Sequence, residues 1–496
     1  MPQIIEFALA STLAVGWGAA GRAAVTRCAQ MRFLIPVVAV SLGGCVSFSE
    51  DGGFGTVQNA VRERTGADAR WVRSESEADS VRGRVKELLA QPLSAQAAMQ
   101  IALLNNPGLQ ASYAEMGIAE ADLVQASRWS GPKLSFARLR HGGTGDTDFE
   151  RGIFFDILGL ITIPLSTRVE RKRFEAAQVR AAAEALRLAR DTRRAWFGAV
   201  AAAETARYTE QVKEAAEAGA ELARRMAAVG NWSKLNQARE QAFYAEATAQ
   251  LARARQANVA ARELLTRLMG LWGEDAAYRL PQRLPELPAA PREVADLEAQ
   301  ALAQRLDVQS ARRDAEALAD SLGLAKVSRF VSLLEIGAVE EKEADEPRHR
   351  GFEIELRIPI FDFGGARVAR AEHQYMQSVN RAMDIAIRAR SEVREAYSGY
   401  RTAFDLAKHY RDEIVPLRKR ISEEVLLRYN GMLMSVFELL ADSRQQVAAV
   451  NAYIEAQHGF WIAESDLQAA LTSSSPGTMA ATKRPAIAAA PAGAPH

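Results

Sequence analysis

Two carboxylates four residues apart, Glu438 and Asp442, sit in a stretch of helical periodicity, so both project from one helix face. Such a face attracts cations and, repeated around a passage, narrows it by charge and hydration; the plainer alternative is a solvated surface. Met432 and Met434 flank Leu433 just upstream. Thioethers can hold Cu(I), but methionine is more often flexible packing material, and packing is the reading adopted. The six histidines (141, 349, 373, 409, 458 and 496) fall on different elements without ligand spacing, so no metal site is expected. The two cysteines, Cys28 and Cys45, leave no pair beyond Cys45 for a disulfide or thiolate site. Asp362-Phe363-Gly364-Gly365 has the letters of a kinase magnesium motif, without the glycine-rich or catalytic loops that accompany one. No nucleophile–base set or phosphate loop emerges, so neither an enzyme nor a cofactor is expected. A net charge of +1, with 25% charged residues, offers no basic face to nucleic acid.

The stretch that positions the rest is FEIELRIPIFDFGG, residues 352–365. Phe352, Ile354, Leu356, Ile358 and Ile360 alternate with Glu353, Glu355, Arg357 and Pro359, the period of a strand with one apolar and one wet face. Such a strand suits a wall between lipid and water. Pro359 closes it, and Asp362, Gly364 and Gly365 turn it into a helix. From Val368 to Tyr400, Val and Ala recur at alternating three- and four-residue steps, a coiled-coil seam. The helix carrying that seam runs for roughly 65 residues, or about 97 Å.

Upstream, Met31-Arg32, the apolar run after them and Leu42-Gly43-Gly44-Cys45 read as a secretory signal over 31–44. Its ending resembles the bacterial lipobox, so Cys45 is the expected lipidated residue. Residues 1–30 read as an upstream extension, with Met31 the expected start. Residues 45–92 read as a polar, lipid-anchored tether with at most short helices. A first structural unit, 93–280, has strands expected at 133–140 and 152–163, the second closed by Pro164, then long helices at 168–229 and 232–270. PQRLPELPAAP (281–291) is a semi-rigid linker. A second unit, 292–472, repeats the order with strands at 329–340 and 351–360 and helices at 366–429 and 434–471. The offset of about 195–200 residues marks an internal duplication, and 473–496 lacks periodicity and reads as disordered. The fold class is mainly α, with long coiled-coil helices and four strands per chain. Closed membrane barrels need about eight strands or more, and an open edge cannot sit in lipid. The chain is therefore expected to pool its strands with other copies.

Residues 93–472 resemble the TolC family of outer-membrane efflux channels, specifically its lipoprotein branch. The likeness rests on the LLNNPGLQASYAE run, the IPIFDFGG strand end and the two glycine turns before leucine-rich helices, in that order and duplicated. The first half departs from the pattern, with IPLSTRVER in place of an FDFGG-like turn. The resemblance implies a homotrimer with a shared twelve-stranded barrel in outer-membrane lipid and an α-helical tunnel reaching into the periplasm. Its partners are a periplasmic adaptor and an inner-membrane pump, of the RND type, and its cargo small toxic compounds or metal ions. The periplasmic tips fall near 229–239 and 429–445. Gly230, Asn231, Asn430 and Gly431 are the expected adaptor-docking residues, with both glycines doubling as helix C-caps. Glu438 and Asp442 become stacked acidic rings at the constriction. A conduit for secreted protein and a lipid-anchored periplasmic scaffold without a pore are the alternatives; the alternating strands speak against the scaffold.

Overall fold

The computed structural model describes residues 47–140, 147–343 and 347–472. The expected extension 1–30, signal 31–44, Cys45 and the tail 473–496 lie outside the described residues. Strands β1 (Lys133–Arg140) and β2 (Thr147–Asp156) form one antiparallel hairpin, and β3 (Leu333–Lys342) and β4 (His349–Arg357) the other. Because β2 also pairs with β3, the two halves of the duplication share one sheet, ordered β1-β2-β3-β4.

The register runs Leu134, Ile153, Ala338 and Phe352 across the sheet in one row. Two-residue alternation adds Phe136, Phe155, Leu334, Ile336, Ile354 and Leu356 to that face. It points away from the protein: Leu134 is 73% and Phe352 82% exposed. The opposite face carries Lys133, Glu335, Glu353 and Glu355, with the ring of Phe154 laid over Gly152 and Gly337, where any Cβ would collide with it. Lys133 Nζ stands 5.5 Å from that ring and 3.4 Å from Glu335 Oε2.

Strand limits differ from expectation in all but the first strand: β2 starts five residues early, at Thr147, β3 runs two residues further, to Lys342, and β4 starts two residues early, at His349. β2 stops at Asp156, and Ile157 already begins the next helix, so Pro164 lies inside a helix instead of closing a strand. An Ile- and Leu-rich run has no period that separates strand from helix; the Asp156 carboxylate decides it by accepting the Gly159 N–H at 2.7 Å, an N-cap. β3 starts four residues later than expected, at Leu333, and β4 ends at Arg357, leaving Ile358, Pro359 and Ile360 in the turn.

Residues 47–92 pack onto the helices instead of forming a free tether. They contain α1 (Phe54–Thr65) and α2 (Glu75–Leu89). Phe54, Val57 and Val61 of α1 are buried with Val179, Ala182 and Leu186, while Val81 and Val85 of α2 join Leu93, Ile101, Leu104 and Trp196. Each helix hides a narrow apolar stripe at four-residue spacing within a charged sequence, enough to dock on a neighbour without raising the average hydrophobicity. Helices α3 (Ala95–Asn105) and α4 (Pro107–Ala126) follow, capped by Ser94 and Asn106.

α5 (Ile157–Ala228) is 72 residues long, about 108 Å. Ala177, Ala181, Ala185, Thr192, Ala195 and Ala199 of its seam are buried. It pairs with α6 (Lys234–Met269), whose last carbonyls are capped by side chains of the Asn-Asn-Pro turn. Asn105 Nδ2 reaches the Met269 and Gly270 oxygens at 3.1 and 2.9 Å, and Asn106 Nδ2 the Leu268 oxygen at 2.9 Å. The Pro-rich segment packs down: Leu284 and Leu287 are buried, and Pro285 O accepts from Gln457 Nε2 and Trp461 Nε1.

In the second half, α7 (Leu297–Gln304) and α8 (Leu306–Val327) precede β3, and α9 (Gly365–His409) follows β4. A π-helical turn, Tyr410–Ile414, interrupts the long helix before α10 (Val415–Asn430), next to Pro416, which has no N–H to give the preceding turn. α11 (Val436–Thr472) returns. The fully buried Arg305, between α7 and α8, ties this half together through Asp307 at 2.6 Å and Glu392 of α9 at 2.9 Å. No helix among the described residues is long and apolar enough to cross a membrane.

Candidate functional site

The strand-to-helix turn of the second half is built by short-range hydrogen bonds. Pro359 O accepts from Phe363 N at 2.7 Å, and the Asp362 carboxylate accepts from Gly364 N at 2.9 Å and Ala366 N at 3.3 Å, satisfying the first donors of α9. Gly364 has φ +71°, and a side chain there would strike the Arg329 carbonyl. Gly365, the first residue of α9, has no such constraint. Arg329 Nε donates to Phe363 O at 3.0 Å, joining the entrance of β3 to the exit of β4. In the first half, Trp129 does the same work: its Nε1 donates to Asp156 O at 3.0 Å and its ring stacks on Phe155 at 5.4 Å. Trp129, Phe330, Phe361 and Phe363 thus ring the helical end of the sheet, and all four are exposed. An exposed apolar sheet face bounded by aromatics is the arrangement of a strand wall at a lipid–water interface.

At the far end of the long helices stand two tips. α5 ends with Gly230 at φ +79° and an Asn231 N to Met226 O bond of 2.9 Å. α10 ends with the equivalent bond from Leu433 N to Arg428 O, also 2.9 Å, but the left-handed residue is Met432, at φ +57°. Gly431 has φ −80°, so it is not the left-handed cap expected of it. The chain aligns its tips as Gly230 with Met432, and Asn430 is the last residue of α10. Met432 and Leu433 are 94% and 81% exposed, as Val229 is at the first tip.

No family model and no curated protein sequence matches this chain. Solved structures do. It superposes on CusC, described as forming a transmembrane channel, with a TM-score of 0.64 and 18% identity over 76% of this chain and 92% of that one. Against the outer membrane channel CmeC of Campylobacter jejuni the values are 0.65 and 17%, over 82% and 89%. The open state of the MtrE outer membrane channel of Neisseria gonorrhoeae gives 0.63 and 17%, over 76% and 89%. The chain has the TolC-like outer-membrane channel fold.

Within that fold, the two acidic residues read from the sequence part company. Glu438 Oε2 accepts from Ser435 N and Oγ, both at 2.9 Å, while Ser435 Oγ accepts from Glu438 N at 3.3 Å, a reciprocal cap on α11. Those bonds hold the exposed carboxyl below its usual range. Asp442 is only 8% exposed, and its Oδ2 has no partner. The expectation of one wet face bearing both carboxylates is therefore corrected. Four residues along, the face has turned by about 40°, enough to take Asp442 from the exposed flank of α11 into its packed side near the α6–α11 seam.

That seam holds the pair that sequence reasoning missed. Glu240 of α6 is 2% exposed and accepts from Arg444 of α11 at 2.6 Å, and the guanidinium lies 4.4 Å from the Phe243 ring. It joins the two halves just inside the tips. Glu240 sits in a charged run, AREQAFYAE, with its partner 204 residues away, so no local signal marks it. No group of three or more His, Cys, Asp or Glu ligands occurs among the described residues. Cys45 lies outside them, but the chain is held soon after it: Glu120, buried in α4, accepts from Ser49 N at 2.8 Å and from Ser49 Oγ.

Proposed function

We propose that this chain is the outer-membrane channel of a tripartite efflux assembly, a passive conduit whose energy comes from an inner-membrane pump. One observation carries the reading: an open-edged, four-stranded sheet with an exposed apolar face and an aromatic rim feeds helices about 100 Å long. Such an edge is costly in lipid, and copies that pool their strands remove it. Three copies give twelve strands, enough to close a barrel, and the TolC-like fold supports that number. The chain then sits in the bacterial outer membrane, acylated at Cys45, with its helices in the periplasm. A periplasmic adaptor docks at the tips through Gly230, Asn231, Asn430 and Gly431, beside the bare Met432–Leu433 pair. An RND-type pump delivers small toxic compounds or metal ions. The acidic constriction narrows to Glu438, with Asp442 buried behind it. Single-channel current through the reconstituted protein tests this: discrete steps are expected, in the wild type or, where its resting tip is shut, in Glu240→Ala, which frees the α6–α11 pair. Silence in both leaves only a scaffold without a pore.

A further inference from the structure

Far from tips and membrane, where α1, α5 and α11 meet, lies a cleft of about 50 Å3, room for an ion or a few waters and not for a metabolite. Its polar wall is made by Arg64 of α1, Arg190 and Arg193 of α5 and Gln468 of α11, and no carboxylate lines it. Arg190 is nine-tenths buried: Nε and Nη2 both donate to Asp191 Oδ1, at 2.9 and 2.7 Å, whereas Nη1 is buried without any partner. Arg193 Nη2 stands 3.0 Å from Glu464 Oε2, a charge contact in which that buried oxygen accepts no hydrogen bond; Nη1 donates to Gln468 Oε1 at 3.1 Å, and Nε is likewise buried and unpartnered. Arg64 makes no ion pair among the described residues, donating only to the Ala60 and Gln304 carbonyls.

Three guanidiniums against two adjoining carboxylates, Asp191 and Glu464, leave one positive charge uncompensated. Buried donors without acceptors are rare in native proteins and point to an absent acceptor. We propose that this cleft binds one small inorganic anion, held by the free Nη1 of Arg190 and Nε of Arg193 and balanced by Arg64. Guanidinium donors in fixed planar forks suit an inorganic oxyanion such as phosphate, and a single chloride satisfies the same charge. The bound anion is a keystone. It ties the N-terminal helix α1 to the middle of α5 and to the end of α11, so that both halves of the duplication and the membrane-tethered arm lock at one point. Gln468 already spans the same elements, its Nε2 donating to Arg64 O at 3.3 Å. The site is independent of what the channel carries.

The test is the unfolding temperature of the full-length protein titrated separately with sodium phosphate and sodium chloride. Ionic strength is held constant with a bulky organic sulfonate salt. A saturating rise with at least one of the two anions is expected, superimposed on the unsaturable stabilisation that excluded salts give any protein. Arg190→Gln removes the saturating part. Arg64→Gln breaks no ion pair and so preserves folding, and it raises the midpoint of the titration at least tenfold. A purely linear response in the wild type overturns the proposal, as does a saturating response with the same midpoint in wild type and Arg64→Gln.

Discussion

Met432 holds the second tip in a conformation that glycine adopts freely and other residues avoid, at a cost of roughly 1 kcal/mol. The same residue is almost wholly exposed, so no side-chain packing offsets that strain, only the cap bonds from Met432 N to Tyr429 O and Leu433 N to Arg428 O; left-handed non-glycine residues of this kind gather at functional positions. Met432→Gly is expected to raise stability by about 0.5–1 kcal/mol, seen as a higher unfolding temperature, while weakening cross-linking to the adaptor. Unchanged or lower stability would remove the strain. The sequence drew attention to this turn through Asn430-Gly431 but set the left-handed residue one position early, because glycine is the default choice and only the backbone shows which residue bends. Glu438 and Asp442 carry a related lesson. Four-residue spacing brings side chains together on a helix but does not say which flank of the stripe is buried, and here Asp442 is buried while Glu438 is left to cap its own helix.

Between α5 and α11, His458 has its Nε2 buried without a partner, close to Gly198. Burial first, then the neighbouring positive charge of Arg194, hold its pKa below the ordinary 6.5, against a smaller opposing pull from Glu455. The folded chain therefore binds this proton less readily than the unfolded one. The stability it contributes is complete above pH 6.5 and is lost as the pH falls through 6.5 towards the lower folded value. Unfolding temperatures measured from pH 7.5 to 5 should fall over that window, and His458→Gln should flatten the fall; equal slopes would place the pH response elsewhere. At this scale the long helices, the hairpins and the duplication were all legible, because periods of two and of three-and-a-half persist over tens of residues. The helices α1 and α2 were not: Val57 and Val61, or Val81 and Val85, are too few to stand out among charges, and only their partners on α3 and α5 make them core. The π-turn at Tyr410–Ile414 had Pro416 as its one signal, and the start of α5 at Ile157 had only the cap at Asp156.

For the molecule as a whole, the sheet is the part that cannot stand alone. Among the described residues β1 and β4 each leave one edge without a neighbouring strand, and the face between them is apolar and bare. The proposed shared barrel needs β4 of one copy beside β1 of the next, around a ring that closes at three. The need for further copies follows from four alternating strands alone, since four cannot form a barrel. What the sequence left open was how the halves meet, and the β2–β3 pairing answers that. The measurement that tests the claim most directly is oxidative cross-linking in membranes, with one cysteine walked along β1 (133–140) and another along β4 (349–357). At matching positions, linked dimers and trimers should form and the ladder should stop at three. The absence of intermolecular links at every pair, or a ladder that runs on past three, would contradict a closed, shared barrel.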